Sequence, residues 1–306
     1  MGVVFMGSAP FSLPTLKALA EEEEVLAVVT QPDRPRGRGL KPSATPVKEW
    51  AKGRGIPVLQ PEDLGGELVE ELRRLRPEVV VVAAYGKILP KEVLKIPPLG
   101  CINVHPSLLP KYRGAAPVNW AIIRGERETG VTTFLMDEGM DSGPVLLRRP
   151  VDIHEDETAP ELLARLADLG AELLLETIRR WRKGGLVPQP QRDEEATYAP
   201  RLERSHGLID WKRKAGEIKN LVRGLQPWPS AYTFLKGKLL KVFRARLGDG
   251  SRGEPGEVVS LRGGIEVACG EGSLVITELQ LEGRRRMSAE EFLRGHSLQV
   301  GDKLGR

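Results

Sequence analysis

Short unbroken apolar runs alternate with stretches of helical period through the first part of the chain. Val3-Val4-Phe5-Met6 predicts a buried strand, ended by Gly7-Ser8-Ala9-Pro10, and is followed by a helix over 12–22 and a strand over 25–29. Residues 79–84 carry no polar position and are mostly valine, the pattern of a central parallel strand with both faces covered. Further strands are expected over 101–104 and 132–136. Strands separated by helical segments predict a Rossmann-like α/β domain on a parallel sheet.

Thr158-Ala159-Pro160-Glu161 has the form of a capping box with proline in the first turn. The helix it opens places Leu162, Leu166, Leu169, Leu173 and Trp181 near a 3.6 period and stops at Gly184-Gly185. Next comes a segment without period, containing Pro188, Pro190 and Pro200, which is expected to be a linker. Beyond it the texture changes to short strands between glycine turns, over 231–235, 239–245, 256–261, 265–268 and 274–281. A helix over 216–223 and a second capping box at Ser288 to Glu291 complete that part. The expected organisation is an α/β domain over 1–184, a linker over 185–201, and a small OB-like antiparallel β-barrel over 202–306.

A length of 306 residues agrees with two domains at about 150 residues each. With 29% charged and 40% hydrophobic residues the chain has a globular composition. The net charge of +4 is unevenly distributed. Residues 1–200 hold 26 basic and 29 acidic side chains, whereas 201–306 hold 20 and 13. A second basic zone comprises Arg34, Arg36, Arg38, Lys41 and Lys48, with no acid among them. Two basic zones on a nearly neutral chain point to a polyanion that touches both, although any one charge run is also an ordinary solvated face. Two cysteines make no disulfide framework, which fits a reducing compartment. There is no apolar run near the roughly 20 residues of a membrane helix, no signal-peptide pattern, and Met at position 6 where a myristoylation motif needs Ser or Thr. A cytoplasmic location is expected.

Several chemistries are disfavoured. The turn after the first strand has one glycine where a dinucleotide fingerprint has three, no phosphate loop ends in Gly-Lys-Ser/Thr, and none of the four histidines has a partner at helical metal spacing. The informative segment runs from Ile102 to Pro110. On a strand Asn103 and His105 share a face, at the C-terminal end where open α/β sheets place their ligand crevice. An Asn-x-His pair alone is equally a structural or incidental histidine. Asp137, Glu138 and Asp141 follow the 132–136 strand; acids there are commonly turn formers, and any of the three has the chemistry to orient an imidazole. Cys101 as a nucleophile is the competing idea, but on a strand it lies roughly 13 Å from His105, too far for direct activation.

Asn103-x-His105-x-Ser107-Leu108-Leu109-Pro110, with Asp141 downstream, resembles the signature of the folate-dependent formyltransferases. Thr30-Gln31-Pro32-Asp33-Arg34-Pro35, Arg36-Gly37-Arg38-Gly39, Ala84-Tyr85-Gly86, Arg113-Gly114-Ala115-Ala116-Pro117 and Gln226-Pro227-Trp228-Pro229 resemble the branch that formylates methionyl-tRNA. The likeness extends from residue 3 to about 300, with one departure: Pro106 stands where many relatives are expected to have Gly. The resemblance implies a formyltransferase domain followed by a tRNA-binding barrel. It implies Asn103, His105 and Asp141 as catalytic residues and Ser107, Leu108, Leu109 and Pro110 as part of the folate pocket. It makes the 34–47 loop a tRNA contact through Arg34, Arg36, Arg38 and Lys41, with Arg38 foremost. Lys219 and Arg223, at i,i+4 on the expected 216–223 helix, are a further candidate phosphate contact or simply a solvated face. Trp228 is a candidate for base stacking or for packing in the barrel. The implied reaction moves the formyl group of 10-formyltetrahydrofolate to the α-amino group of methionyl initiator tRNA for translation initiation, without a metal, in a monomer. The alternatives are formyl transfer to a nucleotide-sugar amine or to water, and an RNA-binding module with a vestigial trio.

Overall fold

In the computed structural model, residues 2–36, 41–250 and 253–305 are described. The chain forms two compact units: Met1–Pro117, Glu128–Asp152 and Leu163–Pro200 make the first, and Val118–Arg127, Ile153–Leu162 and Arg201–Arg306 the second. Two short pieces of the first 184 residues thus cluster with the second unit, which the linear division over 1–184 and 202–306 does not anticipate.

Elements follow in the order β1 (Gly2–Gly7), α1 (Ser12–Glu22), β2 (Glu24–Val29), β3 (Arg34–Arg36), β4 (Lys41–Ser43), α2 (Pro46–Gly53), β5 (Val58–Leu59), α3 (Gly66–Leu75), β6 (Val79–Ala83) and α4 (Lys91–Leu94). Then come β7 (Cys101–His105), β8 (Arg113–Gly114), α5 (Pro117–Ile123), β9 (Glu128–Leu135), β10 (Val145–Asp152), α6 (Ala159–Arg182) and β11 (Tyr198–Ala199). The main sheet has seven strands in the order β10-β9-β7-β6-β1-β2-β5. Five of them, β5 to β7 across the middle, are parallel, as the apolar runs predict. Val4, Met6, Val80 and Val82 point to one face and pack with Leu68, Val69 and Leu72 of α3. Val3, Phe5, Val79 and Val81 point to the other face and are fully buried too, which is why these strands read as unbroken apolar runs.

The far edge departs from the parallel expectation. Strand β9 runs antiparallel to β7, pairing Ile102 with Leu135 and His105 with Thr132, and β10 returns antiparallel to β9. The loop after β9 therefore leaves beside the start of β7 and not beside its end, where Met136 N–H donates to the Cys101 carbonyl.

The second unit holds α7 (Ala215–Gly224), β12 (Ala231–Leu235), β13 (Lys238–Leu247), β14 (Val258–Ser260), β15 (Ile265–Ala268), β16 (Ser273–Leu281), β17 (Met287–Ser288) and α8 (Ala289–Gly295). Its antiparallel sheet runs β12-β13-β16-β15-β14, with β17 on β16, and forms a half-barrel. The chain near its C-terminus bonds to both ends of this sheet: Gly305 N–H donates to Phe234 O, Leu304 N–H to Gly256 O, and Val258 N–H to Asp302 O. The capping signal at Ser288 is realised, its hydroxyl accepting from Glu291 N–H at 3.1 Å.

Helix α7 corrects the reading of Lys219 and Arg223 as a solvent-facing pair. Both are buried. Lys219 Nζ lies 2.7 Å from Asp156 and 3.2 Å from Glu155. The Arg223 guanidinium donates to the carbonyls of His154 and Glu157 and to the Asn220 side chain. These two residues tie the 153–162 segment to α7, so their cationic groups face protein carboxylates and carbonyls.

The Lys219 hydrogen bond, and then its charge, hold the Asp156 carboxyl below the ordinary 3.8. A depressed carboxyl contributes stability above its unfolded value, and that contribution is lost as pH falls through the lower folded value. Because the two carboxylates are more than four-fifths exposed, water solvates them once the lysine is removed. We expect Lys219→Met to lower unfolding free energy by about 1 kcal/mol at pH 7, not the roughly 3–5 of a fully buried pair. In urea titrations at pH 7 and pH 3, the difference from wild type shrinks towards zero at the lower pH.

Candidate active site

Strand β7 delivers Asn103 and His105 to the same face, two residues apart. His105 is buried, its ring edge-on to Phe134 with centroids 6.5 Å apart. Its Nε2 lies 3.0 Å from the Tyr112 carbonyl. A carbonyl only accepts, so Nε2 carries the hydrogen and Nδ1 is the nitrogen turned towards Asp141, 3.7 Å from its Oδ2. The Asn103 amide nitrogen has one contact among the described residues, the thioether of Met136 at 3.9 Å. A thioether is a weak acceptor, so this N–H remains available to a stronger one.

The three acids after β9 are separated by their surroundings. Asp137 Oδ1 accepts from Gly139 N–H and the Ser142 hydroxyl, and so forms the turn. Glu138 pairs with Lys91 in solvent. Asp141 reaches His105, and its Oδ2 also accepts from Gly114 N–H at 2.8 Å. From Ile102, beside which the loop leaves, to His105 is about 10 Å of strand. The loop therefore folds back across the face bearing Asn103 and His105. Gly143 permits this return, since a Cβ there would run into the Leu135 carbonyl. Ala84, Tyr112 and Asp141, all bordering this region, have φ of 43°, 61° and 54°. Non-glycine residues in that conformation cost about 1–3 kcal/mol each and persist where their surroundings hold them, commonly at functional sites.

The segment after His105 is pinned from within. Ser107 is fully buried, its hydroxyl donating to Lys111 O and its carbonyl accepting from the Thr132 hydroxyl. Leu109 is buried as well: its N–H donates to Thr132 Oγ1 and its carbonyl accepts from Arg148 Nε at 2.7 Å. Leu108 and Pro110 keep partial exposure. Ser107 and Leu109 thus shape the wall that Leu108 and Pro110 present.

A family model described as Formyl transferase matches residues 1–178, and one described as Formyl transferase, C-terminal domain, matches residues 201–297. The chain belongs to the formyl transferase family. It is 54% identical over 308 residues to the methionyl-tRNA formyltransferase of Caldanaerobacter subterraneus subsp. tengcongensis, covering 99% of this chain and 100% of the relative. It is 57% identical over 309 residues to that of Citrifermentans bemidjiense, covering 100% and 97%. Among solved structures, WlaRD, a sugar 3N-formyl transferase, superposes with a TM-score of 0.69 at 17% identity, covering 93% of this chain and 99% of that one. HypX from Aquifex aeolicus in complex with tetrahydrofolic acid gives 0.66 at 21% identity, over 99% of this chain and 50% of HypX, so this chain spans about half its length. These two likenesses are of fold.

Other formyl transferase motif residues have identifiable work. In Thr30-Gln31-Pro32-Asp33, the Thr30 hydroxyl meets that of Thr45, Gln31 donates to Tyr85 O, and Asp33 accepts from Lys48 and Gln60. These bonds anchor the base of the basic loop. Arg34 is exposed, Arg36 and Lys41 pair through backbone in the β3–β4 ladder, and Arg38 lies outside the described residues. Trp228 is half exposed, which leaves a face free of barrel packing. Residues that sequence reasoning left without a role include Gly114, whose φ of 121° and close approach to the Ala199 carbonyl require glycine. Tyr112, Thr132 and Gln191 were missed too. Gly114 stood inside a recognised motif; the other three carry no local signal.

Cys101 is buried, its thiol pushed up to about 12 by burial and donating weakly to Val93 O. Burial likewise raises Cys269 to about 11. Neither forms a thiolate near neutrality, so native protein is expected to resist iodoacetamide at pH 8 and to take up two labels per chain in denaturant. Mass spectrometry reads the count.

Proposed function

We propose that this chain transfers the formyl group of 10-formyltetrahydrofolate to the α-amino group of methionyl initiator tRNA. The observation that carries this reading is full-length identity above 50% to methionyl-tRNA formyltransferases. Asn103, His105 and Asp141 act on the reaction as follows. The amine nitrogen attacks the formyl carbon, a tetrahedral oxyanion develops, the bond from that carbon to N10 breaks, and the proton lost by the amine ends on N10. The uncommitted Asn103 N–H supports a role as donor to the oxyanion. With Nε2 bonded to Tyr112, His105 carries the travelling proton on Nδ1, and Asp141 balances the resulting ring charge.

Leu108 and Pro110, on the wall held by Ser107 and Leu109, face the folate. The basic loop with Arg34, Arg36, Arg38 and Lys41 contacts the tRNA. We infer a monomer that acts in the cytoplasm, where translation initiation takes place. No described helix is long and apolar enough to cross a membrane, and no cluster of three or more His, Cys, Asp or Glu among the described residues could hold a metal ion.

Labelled 10-formyltetrahydrofolate supplied with methionyl initiator tRNA, methionyl elongator tRNA and free methionine tests the reading. Transfer to the initiator alone is expected. Asn103→Ala should lower kcat about 10²–10³-fold. Arg38→Ala should weaken tRNA binding and flatten its log–log salt slope by about 0.7–0.9 for each phosphate no longer neutralised. Deformylation without a tRNA product would mean another acceptor; tRNA binding without folate turnover would mean a binding module.

A further inference from the structure

The proline-containing stretch after α6, expected to be a plain linker, bonds to the loop that carries Asp141 and to the loop that braces His105 and Asp141. Gln189 and Val145 exchange both backbone hydrogen bonds at 2.8 Å, which fixes the exit of the Asp141 loop. Further on, Arg113 N–H donates to Thr197 O, Tyr112 N–H to Thr197 Oγ1, and β11 pairs with β8. These bonds hold the loop that supplies the Tyr112 carbonyl to His105 and the Gly114 N–H to Asp141.

Between these two attachments lies Gln191. Its Nε2 donates to the Asp141 carbonyl at 2.8 Å and to the Gly143 carbonyl at 2.7 Å. Its Oε1 accepts from Arg113 Nε at 3.0 Å, while Arg113 Nη1 pairs with Asp193 at 2.9 Å. Arg113 is buried and can only donate, so it fixes which end of the amide is oxygen. Both amide hydrogens then point at carbonyls, which can only accept. A glutamate would keep the Arg113 contact and lose both donations.

We propose that Gln191 is a positioning residue for formyl transfer, holding the Asp141 peptide in its left-handed conformation so that the carboxylate stands beside His105 Nδ1. This rests on the catalytic reading of the trio given above. Asp141 needs such support because its φ of 54° is disfavoured for a side-chain-bearing residue and, among the described residues, its carboxylate has one short bond, to Gly114 N–H. With the amide removed, the peptide is free to leave that conformation, and the carboxylate moves with it.

The test is a double-mutant cycle on full-length enzyme, with wild-type formyl transfer as control. An inactive wild type indicts the functional reading; an active one makes every other result bear on Gln191. Q191M is expected to lower kcat about 10²-fold, the scale of a 1 Å misplacement, with KM for folate and for tRNA within about twofold. Q191E should lose a similar factor, and it serves as the variant if Q191M fails to fold. In a D141N background, adding either change should alter kcat less than about twofold, because the carboxylate being positioned is already gone. An equal loss in both backgrounds, or a kcat within about threefold of wild type for both variants, would overturn the proposal.

Discussion

The antiparallel return of β9 along β7 is the constraint on which the site depends. Were β9 parallel, its loop would emerge at the His105 end, as loops in open α/β sheets do. Instead it emerges beside Cys101 and has to double back across the sheet face. That reversal accounts for features that otherwise look unrelated: a glycine at 143, where a side chain would meet the Leu135 carbonyl, a left-handed Asp141, and anchors from outside the loop. A carboxylate brought in this way arrives over the face bearing Asn103 and His105, and the Asp141–His105 pair is assembled from two directions.

The bonds made by residues 189–199 change what a domain boundary means in this chain. Lack of periodicity marked the segment as connection, and by composition it is. By hydrogen bonding it belongs to the first unit, since the backbone of Gln189, Thr197 and Ala199 and the side chain of Gln191 are all engaged with the loops around Asp141 and Tyr112. A fragment cut at residue 184 would keep the whole named trio and lose much of what holds it.

The repeating physics was legible in sequence. Apolar runs located β1 and β6, helical period located α1, α6 and α7, and glycine-bounded alternation located β12, β13, β15 and β16. The shared face of Asn103 and His105 followed from the two-residue period of a strand, and their expected role from the resemblance to the folate-dependent formyltransferases. What stayed hidden depends on contacts distant in sequence. Periodicity gives a strand no direction, so the antiparallel edge was missed. The i,i+4 spacing of Lys219 and Arg223 says that they share a helix face without saying that Glu155, Asp156 and two carbonyls wait there. Three acids in a glycine-rich turn look alike until the fold supplies Ser142 to one, Lys91 to another and His105 to the third.

A half-barrel leaves two strands with one unpaired margin each, and such margins are where chains add to one another. In the second unit the segment around Leu304 lies against both, bonding to Phe234 beside one end of the sheet and to Gly256 near the other. The chain near its C-terminus thus works as a seam. It occupies donors and acceptors that an added strand would otherwise use, and shares the β12 margin with Ile209, whose N–H donates to Tyr232 O.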